Sequence, residues 1–160
     1  MRRLASALDR SIAAIESAAM WLAIPMALLL FAQWPLREVV ARFSREANDA
    51  GQILFALYVA VGVTAATRRG AHVASDAVAH RFGERVRVAI ARAAALLVLL
   101  PWAALMLAAA WRPTLLSLLQ FEGFPETFNP GYFLVRLALV LLAILVLAQA
   151  LVTLIRTRAP

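Results

Sequence analysis

The sequence predicts an all-α integral membrane protein with four transmembrane helices and a basic, partly amphipathic cytoplasmic segment between helices 2 and 3. Three observations lead to this prediction. The chain has 160 residues, of which 64% are hydrophobic, and its mean hydropathy is +0.81. The apolar residues fall into four long runs without charge, whereas soluble domains are about half apolar and rarely contain such runs. All sixteen basic residues are arginines, and they lie between or beside the runs.

The first uncharged run, residues 17–36, is long enough for a helix that crosses about 30 Å of hydrocarbon. Pro25 lies inside the run and predicts a kink, because proline cannot donate a helical hydrogen bond. Residues 1–16 are interpreted as a cytoplasmic tail, which places Glu16 at the aqueous edge. Gln33, near the other end of the run, is interpreted as a helix-packing residue.

Three further uncharged runs follow the first, and together the four runs predict a single four-helix transmembrane domain over residues 1–160. A helix from Glu84 to Leu119 would be about 54 Å long, so it should bend near Pro101 or Pro113 or project beyond the membrane. The three runs span residues 50–67, 93–111 and 137–155.

The segment between the second and third runs holds six arginines and both histidines. Arg81, Arg85 and Arg92 fall within about 40° of one another on a helix, with an apolar face roughly opposite. This pattern is typical of a helix at the headgroup layer, so the three arginines are predicted membrane-interface residues. A new helix is expected to begin near Glu84, after Gly83.

Arginine placement predicts the topology. If the N-terminus is inside, the cytoplasmic segments carry eleven arginines and a net charge of +7, and the external segments carry five arginines and a net charge of zero. Both termini are therefore expected in the cytoplasm.

The residue types exclude several kinds of chemistry. The chain has no cysteine, which rules out disulfides and thiol catalysis. Its two histidines, His72 and His80, lie in the same loop, so opposing axial ligands for a haem are missing. The basic residues flank apolar runs and form no soluble basic face, which argues against nucleic-acid binding. No run has an acid, base or histidine at its centre, where an ion-coupled carrier needs a polar site.

Residues 46–76 resemble the small membrane subunit, the DctQ-like subunit, of tripartite ATP-independent periplasmic (TRAP) transporters. The similarity covers the four spans, the loop lengths and a set of motif residues along the chain. These residues are Gln33, Arg42, Glu46, Gly62, Arg69, Gly70, His72 and Asp76.

The resemblance implies a non-catalytic subunit in the bacterial inner membrane, without a cofactor of its own. A large membrane subunit would carry the sodium and substrate sites, and a periplasmic substrate-binding protein would deliver an organic acid. This chain would scaffold the large subunit within the bilayer. The alternative is a self-contained small multidrug-type exporter that works as an oligomer, for which Glu16 would have to serve as the membrane-embedded acid.

Overall fold

The computed structural model describes residues 2–39, 45–68 and 82–156, and most of these residues are helical. Within these ranges, four helical stretches are long and apolar enough to cross a membrane: Ser6–Pro35, Arg45–Arg68, Glu84–Leu119 and Tyr132–Ile155. The individual helices are α1 (Arg2–Met20), α2 (Ala23–Glu38), α3 (Arg45–Arg68), α4 (Glu84–Ala94), α5 (Leu100–Leu119) and α6 (Tyr132–Arg156). The predicted all-α membrane fold is therefore confirmed.

The first span is divided by a turn at Trp21 and Leu22. Pro25 explains the position of the turn, because Pro25 has no N–H to donate to the carbonyl of Trp21, four residues earlier. That carbonyl instead accepts a bond of 3.3 Å from the amide of Ile24. Residues that the sequence assigned to a tail belong to α1, which packs against α3 and α6.

The third span is one continuous helical stretch, and a π-helical turn at Ala95–Leu99 joins α4 to α5. The amide of Leu100 donates to the carbonyl of Ala95, five residues earlier. Pro101 follows immediately, and its ring would collide with a carbonyl four residues before it in a regular helix. The wider turn accommodates the proline without ending the helix, as π-bulges do in long helices.

α6 is the central helix of the bundle. It contacts α1, α3 and α5, whereas α2 packs mainly on α3. In its most apolar stretch 39% of the residues are buried, against 11% to 17% in the other three spans. Small side chains allow the close approach of membrane helices. The buried alanines of α5 and α6 include Ala103, Ala110, Ala138, Ala143 and Ala150.

The hairpin between α5 and α6 begins with a helix cap of unusual composition. The amide of Glu122 donates to the carbonyl of Ser117, and the amide of Phe121 to that of Leu118, which is the Schellman pattern. Phe121 takes the left-handed position, with φ of 48°, where glycine is normally found. Phe124 is 3% exposed and anchors the loop between the two helices.

Candidate functional site: polar clusters at the ends of the bundle

The first polar cluster joins the end of α3 to α1. Asp9 and Glu16 are seven residues apart on α1 and therefore share a face of that helix. Arg68 is the last residue of α3, and its two terminal nitrogens each lie 2.9 Å from one of these carboxylates. The Glu16 side chain is only 9% exposed and that of Arg68 17%, so the pairs lie mostly out of water.

The cluster acts as a strap between α1 and α3. Removing one partner of an enclosed ion pair leaves an uncompensated charge, so such a pair fixes the helices that carry it. The sequence placed Glu16 at the aqueous edge, but the structure buries it to 8% exposure against Arg68. The only indication of this contact in the sequence was the seven-residue spacing of Asp9 and Glu16, which places both carboxylates on one face of α1.

Two cavities of about 340 Å³ flank Gln149 of α6. One is polar and lies against Asp9, Glu16 and Arg68. The other lies between α3, the π-helical turn and α6, and its lining is almost entirely apolar. It is lined by residues that include Val63, Thr64, Val98, Leu99, Trp102 and Gln149.

Two oxygens of the residues lining the apolar cavity are buried without a hydrogen-bond partner in the described part of the chain: Thr64 Oγ1 and Gln149 Oε1. Thr64 as a whole is 1% exposed. Thr67 lines the same cavity, but its hydroxyl donates to the carbonyl of Val63 over 2.9 Å. Buried polar groups are almost always paired, so the two oxygens require an explanation.

The second polar cluster lies at the opposite end of the bundle. Asp49, near the start of α3, is 7% exposed and accepts a hydrogen bond from the hydroxyl of Thr127 in the hairpin loop. Glu122 and Arg136 form a two-point ion pair with both N–O distances at 2.8 Å. The guanidinium of Arg136 also lies 5.6 Å from the ring centre of Tyr132.

The surroundings of Glu122 favour its ionised form. The Ser117 hydroxyl and then the Arg136 guanidinium lower the pKa of the Glu122 carboxyl below its ordinary value of 4.5. The pair closes the α5–α6 hairpin, because Glu122 lies just after α5 and Arg136 on the first turns of α6. Together with the Asp49–Thr127 bond, it fixes the loop to α3 and α6.

Of the residues predicted from the sequence, the five that the structure describes lie on different helices or at different positions along them. Gln33 is half-buried on α2, Glu46 is exposed at the start of α3, and Gly62 borders a groove between α1 and α3. A Cβ added at Gly62 would meet nothing within 4 Å, so no close helix contact depends on that glycine. Arg85 is exposed and Arg92 half-buried on the third span. The other predicted positions lie outside the described residues: Arg42, Arg69, Gly70, His72, Asp76 and Arg81.

Sequence reasoning missed the Arg68 strap, the Asp49–Thr127 bond and the Glu122–Arg136 pair. Within the described ranges, no group of three or more histidine, cysteine, aspartate or glutamate side chains could hold a metal ion. The arrangement joins helices at the two ends of a bundle whose interior, in the described ranges, is mostly apolar.

Comparison with known families identifies a relative of this chain. The family model of the tripartite ATP-independent periplasmic transporters, DctQ component, matches residues 26–159, from α2 to the last residues of the chain. No curated protein and no solved structure matches the chain. α1, with Asp9 and Glu16, precedes the matched region. With four apolar spans and a match over most of its length, this chain belongs to the DctQ family and is a small, multi-pass inner-membrane subunit of a TRAP transporter.

Proposed function

We propose that this chain is a static, non-catalytic scaffold that holds the large membrane subunit of its transporter in the bilayer. The observation that carries the proposal is the distribution of charge. In the described ranges, ionisable side chains lie toward the two ends of the bundle. The most deeply buried ion pair joins Glu16 to Arg68, so each charge is neutralised by the other. Coupled carriers generally place an ionisable or polar site near the middle of the membrane, reached by moving helices.

It follows that coupling and substrate recognition belong to the partner proteins. We assign the sodium sites and the substrate site to the large membrane subunit, and delivery of an organic acid to a periplasmic substrate-binding protein. This chain needs no cofactor in that role. The polar clusters that link α1 to α3, and the hairpin loop to α3, support a rigid part in the complex.

We also propose that both termini face the cytoplasm and that Arg85 and Arg92 lie at the cytoplasmic headgroup layer. The arginine asymmetry of +7 against zero supports this orientation. The packing agrees with it, because Asp9, Arg68 and Gln149 lie near one another at one end of the bundle. Asp49 and the 120–131 loop meet at the other end.

The exporter alternative requires an available acid inside the membrane. Glu16 is buried as such an acid would be, but its carboxylate lies 2.9 Å from the Arg68 guanidinium. Release of that carboxylate for cargo would leave Arg68 with one fewer counter-charge, at substantial cost. The scaffold function therefore has the better support.

Reconstitution separates the two functions. The chain alone in liposomes should give no sodium-driven uptake of organic acids, and uptake should appear only when the large subunit and the binding protein are added. Liposomes with the large subunit and binding protein but without this chain serve as the matched control. Robust uptake by the chain alone would reject the scaffold.

A further inference from the structure

The polar cavity beside Arg68 continues into an apolar groove between α1 and α3. The cavity has a volume of about 340 Å³ and the groove one of about 310 Å³. Glu16 and Met20 line both, so the two spaces adjoin. Along α3 the groove extends from Tyr58 to Ala66, which is about 12 Å, against roughly 15 Å for half of the hydrocarbon core.

The order of the two spaces along α3 matches the order of polar and apolar parts in a phospholipid. Arg68 is the last residue of α3, and the uncharged run over residues 50–67 ends directly before it. The polar cavity therefore lies at one end of the membrane span, and the groove runs from it toward the middle of the bilayer. In the orientation proposed above, this end faces the cytoplasm, so the site belongs to the inner leaflet.

Charged side chains that line the cavity are accessible from it. The side chains of Asp9 and Arg68 are 23% and 17% exposed, although they lie 2.9 Å from each other. A guanidinium has five N–H donors, more than its contacts with Asp9 and Glu16 use. Arg68 can therefore keep both carboxylates and still donate to a phosphate oxygen, which is a favoured acceptor for arginine.

The mixture of charges selects among headgroups. The charged residues described along the cavity are two acids, Asp9 and Glu16, and one base, Arg68. The guanidinium attracts a phosphate, whereas the carboxylates attract an ammonium group and repel further negative charge. A headgroup that carries both a phosphate and an ammonium group fits this pattern. An anionic headgroup, such as that of phosphatidylglycerol, offers nothing to the carboxylates.

We propose that the cavity and the groove together bind one phospholipid with a zwitterionic, ammonium-bearing headgroup, as in phosphatidylethanolamine. Arg68 binds the phosphate, Asp9 attracts the ammonium, and an acyl chain lies in the groove beside Gly62. The site goes beyond the scaffold function, and it needs no other subunit because this chain supplies all of its residues. The orientation proposed above enters only in the choice of leaflet.

Gly62 provides a way to fill the groove. An added Cβ meets nothing within 4 Å at Gly62 or at Gly51, and of the two Gly62 lines the groove. Gly62→Leu should lower the phosphatidylethanolamine bound to the full-length chain about fivefold or more, because the acyl chain loses its buried apolar contacts. Gly51→Leu is the matched control and should leave lipid binding unchanged.

The measurement counts lipids directly. The chain is purified in mild detergent and mixed with equal amounts of phosphatidylethanolamine and phosphatidylglycerol, and bound lipids are identified by native mass spectrometry. The wild type should retain phosphatidylethanolamine at least about threefold better, and Asp9→Asn should remove most of this preference, because it removes a negative charge at nearly constant size. Equal binding of the two lipids by the wild type, a preference for phosphatidylglycerol, or no bound lipid would each overturn the proposal.

Melting temperatures without added lipid separate binding from folding. Gly62→Leu should not lower the melting temperature, because leucine is a better helix former than glycine. A stable Gly62→Leu variant that binds phosphatidylethanolamine like the wild type would overturn the proposal. If the variant is less stable, the wild-type preference and its loss in Asp9→Asn decide the matter. The large subunit is absent throughout, so a negative result would leave the scaffold function intact.

Discussion

Arg68 lies between two carboxylates of α1, and its contribution to stability can be measured directly. Arg68→Gln should destabilise the isolated protein by about 3 kcal/mol, because Glu16 is left buried without a counter-charge. Thermal unfolding in detergent checks this value. The exposed Arg112 provides the control, and Arg112→Gln should change stability by no more than about 0.5 kcal/mol.

Replacing both carboxylates as well as the arginine tests the same ion pairs, because it removes all three charges together. Asp9→Asn with Glu16→Gln in the Arg68→Gln background should restore part of the lost stability, because no buried charge remains. If Arg68→Gln and Arg112→Gln lowered the stability of the protein by the same amount, the ion pairs of Arg68 would not be stabilising.

Glu122 gives the fold a pH dependence whose sign follows from its pKa. The pKa of the folded carboxyl is lowered from 4.5, so the ionised form is favoured by folding. The resulting stability is fully present above the unfolded pKa and is lost as the pH falls through the folded pKa. Melting temperature measured from about pH 6 downward should therefore fall less steeply in Glu122→Gln than in the wild type. Parallel curves would contradict the prediction.

The sequence contains the residues of the strap but not their pairing. The seven-residue spacing of Asp9 and Glu16 follows from helix periodicity. Which arginine meets them depends on how α1 packs on α3, and sequence periodicity carries no information about that packing. The sequence places Glu16 at the edge of the first apolar run, but only the packing shows that its side chain is buried against Arg68.

At the scale of the elements, the α5–α6 loop requires a glycine at position 123. A Cβ at Gly123 would lie 2.9 Å from the carbonyl oxygen of Phe128 and 3.1 Å from that of Asn129. Gly123→Ala should therefore force the loop apart and cost about 1 to 3 kcal/mol. Gly51→Ala is the control, because nothing lies within 4 Å of its added Cβ and alanine favours the helix by about 0.5 to 1 kcal/mol. The melting temperatures of the two variants should shift in opposite directions. Equal shifts would contradict the requirement for glycine at position 123.

The prolines show what sequence reasoning can and cannot give at this scale. Pro25 and Pro101 were both expected to disturb their helices, since neither can donate a backbone hydrogen bond. The structure resolves the first as a turn and the second as a π-helical turn within a continuous helix. Whether a proline interrupts its helix with a turn or is accommodated by a π-helical turn depends on the hydrogen bonds of the neighbouring backbone. The start of the third helical stretch at Glu84 agrees with the expectation from Gly83.

For the whole molecule, the orientation in the membrane is the main prediction. Asn48→Cys and Ser75→Cys place single thiols in a chain that has no cysteine. In cells with a permeabilised outer membrane, an impermeant maleimide should label position 48 and spare position 75. The expectation follows from the excess of arginines in the segments assigned to the cytoplasm. Labelling of both positions after full lysis provides the control, and the reverse pattern in the cells with a permeabilised outer membrane would reject the topology.

The fold class and the family were predictable because they depend on features spread over the whole chain. Four uncharged runs define the membrane fold, and the family match over residues 26–159 confirms the resemblance based on the motif residues. The polar contacts were not predictable in the same way. Asp49 and Thr127 lie 78 residues apart, and only the packed bundle brings them together.

The Arg68 strap also has a consequence for biogenesis. Arg68 follows Asp9 in the chain by 59 residues. At a synthesis rate of about 5 to 20 residues per second, the Asp9 carboxylate is synthesised roughly 3 to 12 seconds before the guanidinium that pairs with it, and Glu16 follows Asp9 by only seven residues. Until then, Asp9 and Glu16 lack the guanidinium with which they pair in the folded bundle. The ion pairs between α1 and α3 can therefore form only after α3 has been synthesised.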